Sequence, residues 1–508
     1  MKFFPLLAVL LALGTTPSLR ADTSVVFNEI MYHPATNETL FEWVELRNQM
    51  AVDVDLSGWS ITGGSAFTFA PNTIVRGGGF VLVAASPATL TALTGISTNA
   101  FGPFTGTNRL GNNGETLRLR NNSGRVVDEV KYGTEGDWPV APDGSGVSLA
   151  KRDPDSASGP AANWTWSAQV GGTPGRTNFP AVPPRGLVFN ELSVSTNAGF
   201  WLELVNSGTN SQSLNGCVIV HDGATNHEYV FPAGPALAVG AFLAVSNTTL
   251  GFHPESGDKL YLLSPSRSNV LDAVVVKKAA RGRWPDGTGP YLFPNVGTPG
   301  ASNSFALRSE IVINEIMYNH RDVPGTNGLP PAASKESWLE LYNRSTYSVD
   351  LADWELDDGI TYRFASQTLA PGGYLVVAKD SAYLRSLYPA ITIVGDFSKN
   401  LSGRGDTIIL RDPVGNPADQ VRYFDSGRWP AFASGGGSSL ELRDPSADNS
   451  KAEAWAASNE AGKASWQTYT YSMTASASVT SGPDGQRHDG MRYSSYLTET
   501  MPRIPLRP

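Results

Sequence analysis

Val26-Phe27-Asn28-Glu29-Ile30, followed by Trp43-Val44-Glu45-Leu46-Arg47-Asn48, decides the reading of this chain, because the chain repeats it twice. Val188-Phe189-Asn190-Glu191-Leu192 precedes Trp201-Leu202-Glu203-Leu204-Val205-Asn206, and Val312-Ile313-Asn314-Glu315-Ile316 precedes Trp338-Leu339-Glu340-Leu341-Tyr342-Asn343. Asn28 and Asn190 lie 162 residues apart, and Asn190 and Asn314 lie 124 apart. Such intervals are too long and too uneven for a solenoid of roughly 20–50-residue units, and they suit separate globular domains. The chain reads as three copies of one module.

Outward from that opening, apolar residues alternate or cluster in short runs bounded by Gly, Pro, Asn and Asp, which is the signature of strands. Phe80-Val81-Leu82-Val83-Ala84, Phe242-Leu243-Ala244-Val245 and Tyr374-Leu375-Val376-Val377-Ala378 each lie just after glycine. A turn and an alternating strand come next, at Gly114-Glu115-Thr116-Leu117, Gly257-Asp258-Lys259-Leu260 and Gly405-Asp406-Thr407-Ile408. A further strand closes each copy: Val126-Val127-Asp128-Glu129-Val130, Val270-Leu271-Asp272-Ala273-Val274 and Ala418-Asp419-Gln420-Val421. Helical periodicity is confined to a turn or two at residues 88–94 and 381–387. The expected class is all-β: three tandem immunoglobulin-like β-sandwiches, each burying the aliphatic face of two sheets. In the first copy Val44 and Leu46 should face the core, leaving Trp43, Glu45 and Arg47 half exposed.

The 508 residues suffice for about three domains of roughly 150 residues. A net charge of -9 and a pI of about 5.3 argue against a nucleic-acid-coating surface, which needs clustered Lys and Arg. Gly 52 and Pro 35 fall between the apolar runs and read as turn chemistry. Residues 1–21 resemble a signal peptide, with Lys2 ahead of an apolar stretch, helix-breaking Gly14 and Pro17, and a small residue at Ala21. The expectation is a secreted, cell-surface or periplasmic protein without a transmembrane segment once that leader is removed. A single cysteine rules out an intramolecular disulfide framework, so packed cores must supply the stability.

Each copy then runs into an irregular stretch bearing Trp138-Pro139, Trp284-Pro285 or Trp429-Pro430, and two copies finish on Gly172-Thr173-Pro174-Gly175 and Gly297-Thr298-Pro299-Gly300. Residues 174–185 and 299–308 read as short, semi-stiff linkers. Together, the Asn-Glu-Ile opening, the Trp-x-Glu-Leu-x-Asn strand, the Leu56-Ser57-Gly58-Trp59 turn, the glycine-led strand and Gly-Thr-Pro-Gly resemble the lamin-tail domain of large secreted bacterial proteins. The resemblance covers residues 24–178, 186–303 and 310–446, and is weakest in the second copy, which lacks the aromatic of the Leu-x-Gly-Trp turn. It implies an immunoglobulin-like sandwich and a non-catalytic module that accompanies nucleases, phosphatases and other surface domains. Residues 447–508 read as a mostly unstructured tail holding one good strand, Trp466-Gln467-Thr468-Tyr469-Thr470-Tyr471, with a faint resemblance to a truncated jelly-roll start.

Chemistry is sparse. The Asn-Glu and Trp-x-Glu acids, with Asp53 and Asp55 or Asp353, Asp357 and Asp358, invite a Ca²⁺ site, but there is no Asp-x-Asp-x-Asp-Gly loop. A structural use, in which Asn and Glu side chains satisfy backbone groups, fits the repeat better. Arg404-Gly405-Asp406 spells an adhesion tripeptide, yet it occupies the turn held by Gly114-Glu115 and Gly257-Asp258. Cys217 takes the slot of Trp59 and Trp354, as a small hydrophobe would. The six histidines, His33, His221, His227, His253, His320 and His488, show no metal-ligand spacing. We therefore assign no catalytic, cofactor or metal residue. The expected role is a scaffold binding an unknown protein or polysaccharide at the cell exterior, with a carbohydrate-binding module using Trp138, Trp284 or Trp429 as the alternative.

Overall fold

A computed structural model describes residues 24–106, 109–179, 186–320 and 335–459, with the backbone of strands Gln467–Thr470 and Thr498–Met501. The expected leader, His488 and most of the expected tail lie outside the described residues. The chain forms three β-sandwiches, and it divides into two compact units, residues 1–305 and 306–508.

In the first sandwich one sheet runs Trp164–Trp166, Leu149–Lys151, Val25–Met31, Trp43–Asn48, Phe80–Ala84, Ala100–Phe101. The facing sheet runs Val126–Tyr132, Glu115–Arg120, Ser60–Thr62, Ser65–Thr68, Thr105–Gly106. Val44 and Leu46 are fully buried between the sheets with Phe27, Ile61, Leu117 and Leu119, as the period of two dictates. Trp43 and Glu45 correct the expectation of a half-exposed outer column, since both are buried. Trp43 packs with Met31, Leu82 and Leu90 under helix Pro87–Thr94, which Ser86 caps by accepting from the Thr89 amide. Glu45 is covered by the segment around Gly175, whose amide it holds.

One irregularity recurs in all three sandwiches. Phe27 pairs with Leu46, but Glu29 pairs with Glu45, so Asn28 is an extra residue in a β-bulge. The same shift falls between Phe189 and Glu191 and between Ile313 and Glu315. Strict alternation would send Glu29 into the core with Phe27. The bulge resets the phase, placing Glu29 on the outer face and Ile30 back inside.

The second sandwich pairs a five-stranded sheet containing Leu187–Leu192 and Trp201–Asn206 with a four-stranded sheet, His227–Val230, Val218–Asp222, Lys259–Leu263, Val270–Val275. The outer face of that four-stranded sheet rests against the first sandwich. Val218, Tyr261, Leu263, Val270 and Ala273 form a buried cluster with Ala141 and Val147, and Trp166 packs on its edge. Trp166 donates its indole N–H to the Val270 carbonyl at 2.9 Å, and the Val170 amide donates to the Ser268 carbonyl at 2.8 Å. Lys259 Nζ meets Asp143 at 2.9 Å, and Asp143 is also hydrogen-bonded to His33. The first two sandwiches are one body rather than beads on a linker.

The third sandwich places Trp338–Asn343 and Ile311–Met317 in a six-stranded sheet over Glu355–Asp358, Gly405–Arg411 and Pro417–Phe424. Trp354 is fully buried at its centre. This sheet continues past residue 446, the expected end of the module. Trp455–Ala457 pairs with Leu440–Leu442, and Trp455 is buried in the core. A three-residue strand with two alanines, entered from a 3₁₀ turn, carries too little alternation to be read from sequence.

Candidate functional site: an asparagine–glutamate clasp

The repeated Asn and Glu residues meet the end of their own module. Glu29 accepts from the Thr173 amide and the Thr173 hydroxyl, each at 2.9 Å, and from Ser148 Oγ. Glu45 accepts from the Gly175 amide and, at 2.7 Å, from Asn28 Nδ2. Asn28 Nδ2 also reaches Asn178 Oδ1 at 2.8 Å, while Asn178 donates to the Lys151 carbonyl at 2.9 Å. Gly172 has φ +75°, and a Cβ there would sit 2.8 Å from Glu29 Oε1, so glycine is required at that turn.

The second sandwich repeats the arrangement closely. The Thr298 amide and hydroxyl donate to Glu191 at 3.0 and 2.8 Å, and the Gly300 amide donates to Glu203. Asn190 Nδ2 donates to Glu203 Oε1 at 3.0 Å, and Asn303 Nδ2 reaches the Asn190 carbonyl at 3.3 Å. Asn178 and Asn303 both fall five residues after the clasped threonine. That spacing is present in the sequence, but it sits in Pro-bearing stretches expected to be linkers. The structure corrects this expectation: the two asparagines are the last pieces of their sandwiches, and buried. In the third sandwich Asn314 Nδ2 donates to Glu340 at 2.9 Å and Ser439 Oγ to Glu315. The stretch beyond Asn459, where a third closing segment would fall, lies outside the described side chains.

Two further residue sets are threefold, and both lie in strands that the sequence repeats, although their role is not readable there. Asp128, Asp272 and Asp419 accept from the Phe27 amide at 2.8 Å, the Phe189 amide at 2.9 Å and the Ile313 amide at 2.6 Å respectively. They bolt the closing strand to the bulged one. Asn48, Asn206 and Asn343 each donate to the carbonyl four residues on, at 2.8, 2.9 and 2.9 Å, shaping the turn after the tryptophan strand.

Burial sets the electrostatics of the clasp. It pushes Glu29 up to about 7 against the hydrogen bonds from Ser148 and Thr173, which pull down. Burial, then the neighbouring Glu29 charge, holds Glu45 well above the usual carboxylate range. Glu203 is pushed up to about 6 for the same first reason. With their oxygens committed to chain amides and hydroxyls, these groups hold backbone and have no open face for a substrate.

The remaining candidate residues stay apart. Asp53 accepts from the Gly77 amide, Asp55 from Ser57, Asp353 pairs with Arg363 and Asp357 with Arg411. Among the described residues no three His, Cys, Asp or Glu side chains gather closely enough to hold a metal ion. Gly405 has φ +127°, matching Gly114 and Gly257 at +88° and +106°, so the adhesion-like tripeptide is built on a required turn. Cys217 is buried in the second core, and burial pushes its thiol pKa up. Of the three Trp-Pro tryptophans, Trp138 and Trp429 pack against Trp164 and Trp455, and only Trp284 is substantially exposed, at 44%. Beside the first clasp lies a cavity of about 510 Å³ lined by Met31, Leu40, Glu42, Trp43, Leu93 and Pro174. Burial raises Glu42 to about 7 there.

An all-β, immunoglobulin-like sandwich closed by an internal polar clasp is thus the class this chain defines. Residues 19–134 and 306–425, which fall in the first and third sandwiches, match the family model of the Lamin Tail Domain. No curated protein matches the chain. Among solved structures, a DUF4876 family protein from Bacteroides thetaiotaomicron is similar over 47% of this chain and 78% of its own, at 10% identity and a TM-score of 0.18.

Proposed function

We propose that this is an exported, non-catalytic scaffold of three lamin-tail-type sandwiches, the middle one included, that presents surfaces to a protein partner outside the cytoplasm. One observation carries the reading: the polar residues that recur with the module are spent on the module's own backbone. Glu29, Glu45 and Asn28 clasp Thr173, Gly175 and Asn178, and Glu191, Glu203 and Asn190 clasp Thr298, Gly300 and Asn303. The same clasp in the middle copy supports its kinship with the flanking two. The apolar leader at residues 1–21 supports export.

The test is a screen of the purified chain against ester, phosphodiester and glycoside substrates, with and without divalent cations. The expected result is no turnover above the uncatalysed rate. A reproducible turnover that co-purifies with the chain through two columns would overturn the reading. Export is checked by the mature N-terminus, expected after residue 21; a chain that keeps Met1 and stays in the cytoplasmic fraction contradicts it. The polysaccharide alternative retains Trp284 as its one substantially exposed Trp-Pro ring.

A further inference from the structure

The first and third sandwiches share a numbering offset of 291 from Trp138 and Trp429 through Leu149 and Leu440 to Trp164 and Trp455. Two backbone bridges agree with that register, His33 with Asp143 and Asn319 with Ser434. On this alignment Ala141, which is fully buried against the second sandwich, corresponds to Phe432. Trp166, which donates to Val270, corresponds to Ala457. The face that the first sandwich covers with its neighbour is therefore open in the third. Phe432 stands 75% exposed there, the most exposed large apolar side chain among the described residues. It lines a shallow groove of about 680 Å³ with Arg428, Pro430, Arg443, Glu453 and Ala457.

We propose that this Phe432 groove seats the segment after the third sandwich, residues 460–508, through the paired strands Gln467–Thr470 and Thr498–Met501. Three observations name that occupant over others. In the first unit the matching face is covered by the segment immediately next in the chain, and residues 460–508 hold that place after the third sandwich. The chain leaves the third sandwich from strand Trp455–Ala457, whose residues Ala456 and Ala457 line the groove itself. The strands Gln467–Thr470 and Thr498–Met501 are antiparallel partners in a two-stranded sheet, and a lone pair of strands needs a surface on which to bury one face. Phe432, with Pro430, Ala456 and Ala457 beside it, supplies that surface, and Arg443 with the Arg428–Glu453 pair at 2.7 Å forms a polar rim.

The experiment compares hydrogen–deuterium exchange of the full chain with its Phe432→Ser variant and with Tyr347→Ser, a control at another exposed ring of the same sandwich. Amides 467–470 should exchange about tenfold to a hundredfold faster in Phe432→Ser, the effect of releasing one buried phenylalanine. Amides 408–410 of the core strand should not change, which excludes general unfolding, and Tyr347→Ser should behave as the parent. Equal exchange at 467–470 in parent and Phe432→Ser overturns the proposal. So does a parent chain that sediments as a dimer and becomes monomeric in Phe432→Ser with 467–470 unmoved, since a second copy would then be the occupant.

Discussion

Glu29 and Glu45 stand directly opposite each other on paired strands, both fully buried. Two carboxylates in that position cannot both ionise cheaply, so the pair retains a proton near neutral pH. Their folded pKa values are raised above the unfolded value of about 4.3. Their contribution to stability is therefore full below that value, and is lost as pH rises through about 7 for Glu29. Glu203, at about 6, acts in the same direction. The thermal transition of the first unit should weaken between pH 5 and pH 8 by about 1–3 kcal/mol. Glu45→Gln, which removes one of the facing charges, should flatten that slope in calorimetry at matched ionic strength. A slope as steep in Glu45→Gln as in the parent would show that the pair is not its source.

At the scale of elements, the bulge at Asn28 makes the whole arrangement possible. Deleting Asn28 removes the bulge yet keeps Glu29 on the outer face and Ile30 inside, and it takes away the side-chain amide that donates to Glu45 and reaches Asn178. The cost should be about 1–3 kcal/mol, seen as a lower urea midpoint. Asn28→Gly, which keeps the residue count, should cost about as much; a much milder Asn28→Gly would show that the bulged backbone rather than side-chain hydrogen bonding carries the effect. The strands themselves were legible in the sequence, because Val44, Leu46, Leu117 and Leu119 alternate with polar neighbours. The bulge was not, since one residue per strand leaves no periodic trace. The clasp was half legible: the Asn and Glu residues stand out by repetition, but partners of Glu29 and Asn28 lie 144 to 150 residues away in a Pro-bearing stretch that resembles a linker. Trp43 and Glu45 escape a reading by alternation because the helix and closing segment that cover them come from elsewhere in the chain.

At the scale of the whole molecule, the union of the first two sandwiches left a sequence signal that alternation alone obscures. Lys259-Leu260-Tyr261-Leu262-Leu263 is apolar on both faces, whereas Glu115-Thr116-Leu117-Arg118-Leu119-Arg120 of the first copy is apolar on one. Leu260 and Leu262 fill the second core, and Tyr261 and Leu263 meet the first sandwich. A strand that is apolar on both sides reports two burials. Val218→Asp, on the outward face and clear of the second core, should split the joint transition of the first unit into two without unfolding either sandwich. Scanning calorimetry reads this directly, and an unsplit endotherm at the parent temperature would argue that the contact contributes little. A second consequence concerns the order in which the chain is made. The match to the family model stops at residue 134, yet the last donors to Glu29 and Glu45, from Thr173 and Gly175, arrive only well beyond it. A nascent chain ending short of them still holds two acids awaiting those last donors. Synthesis thus ends each of the first two modules with its keystone, and a message cut short before that point yields a sandwich that betrays its own incompleteness.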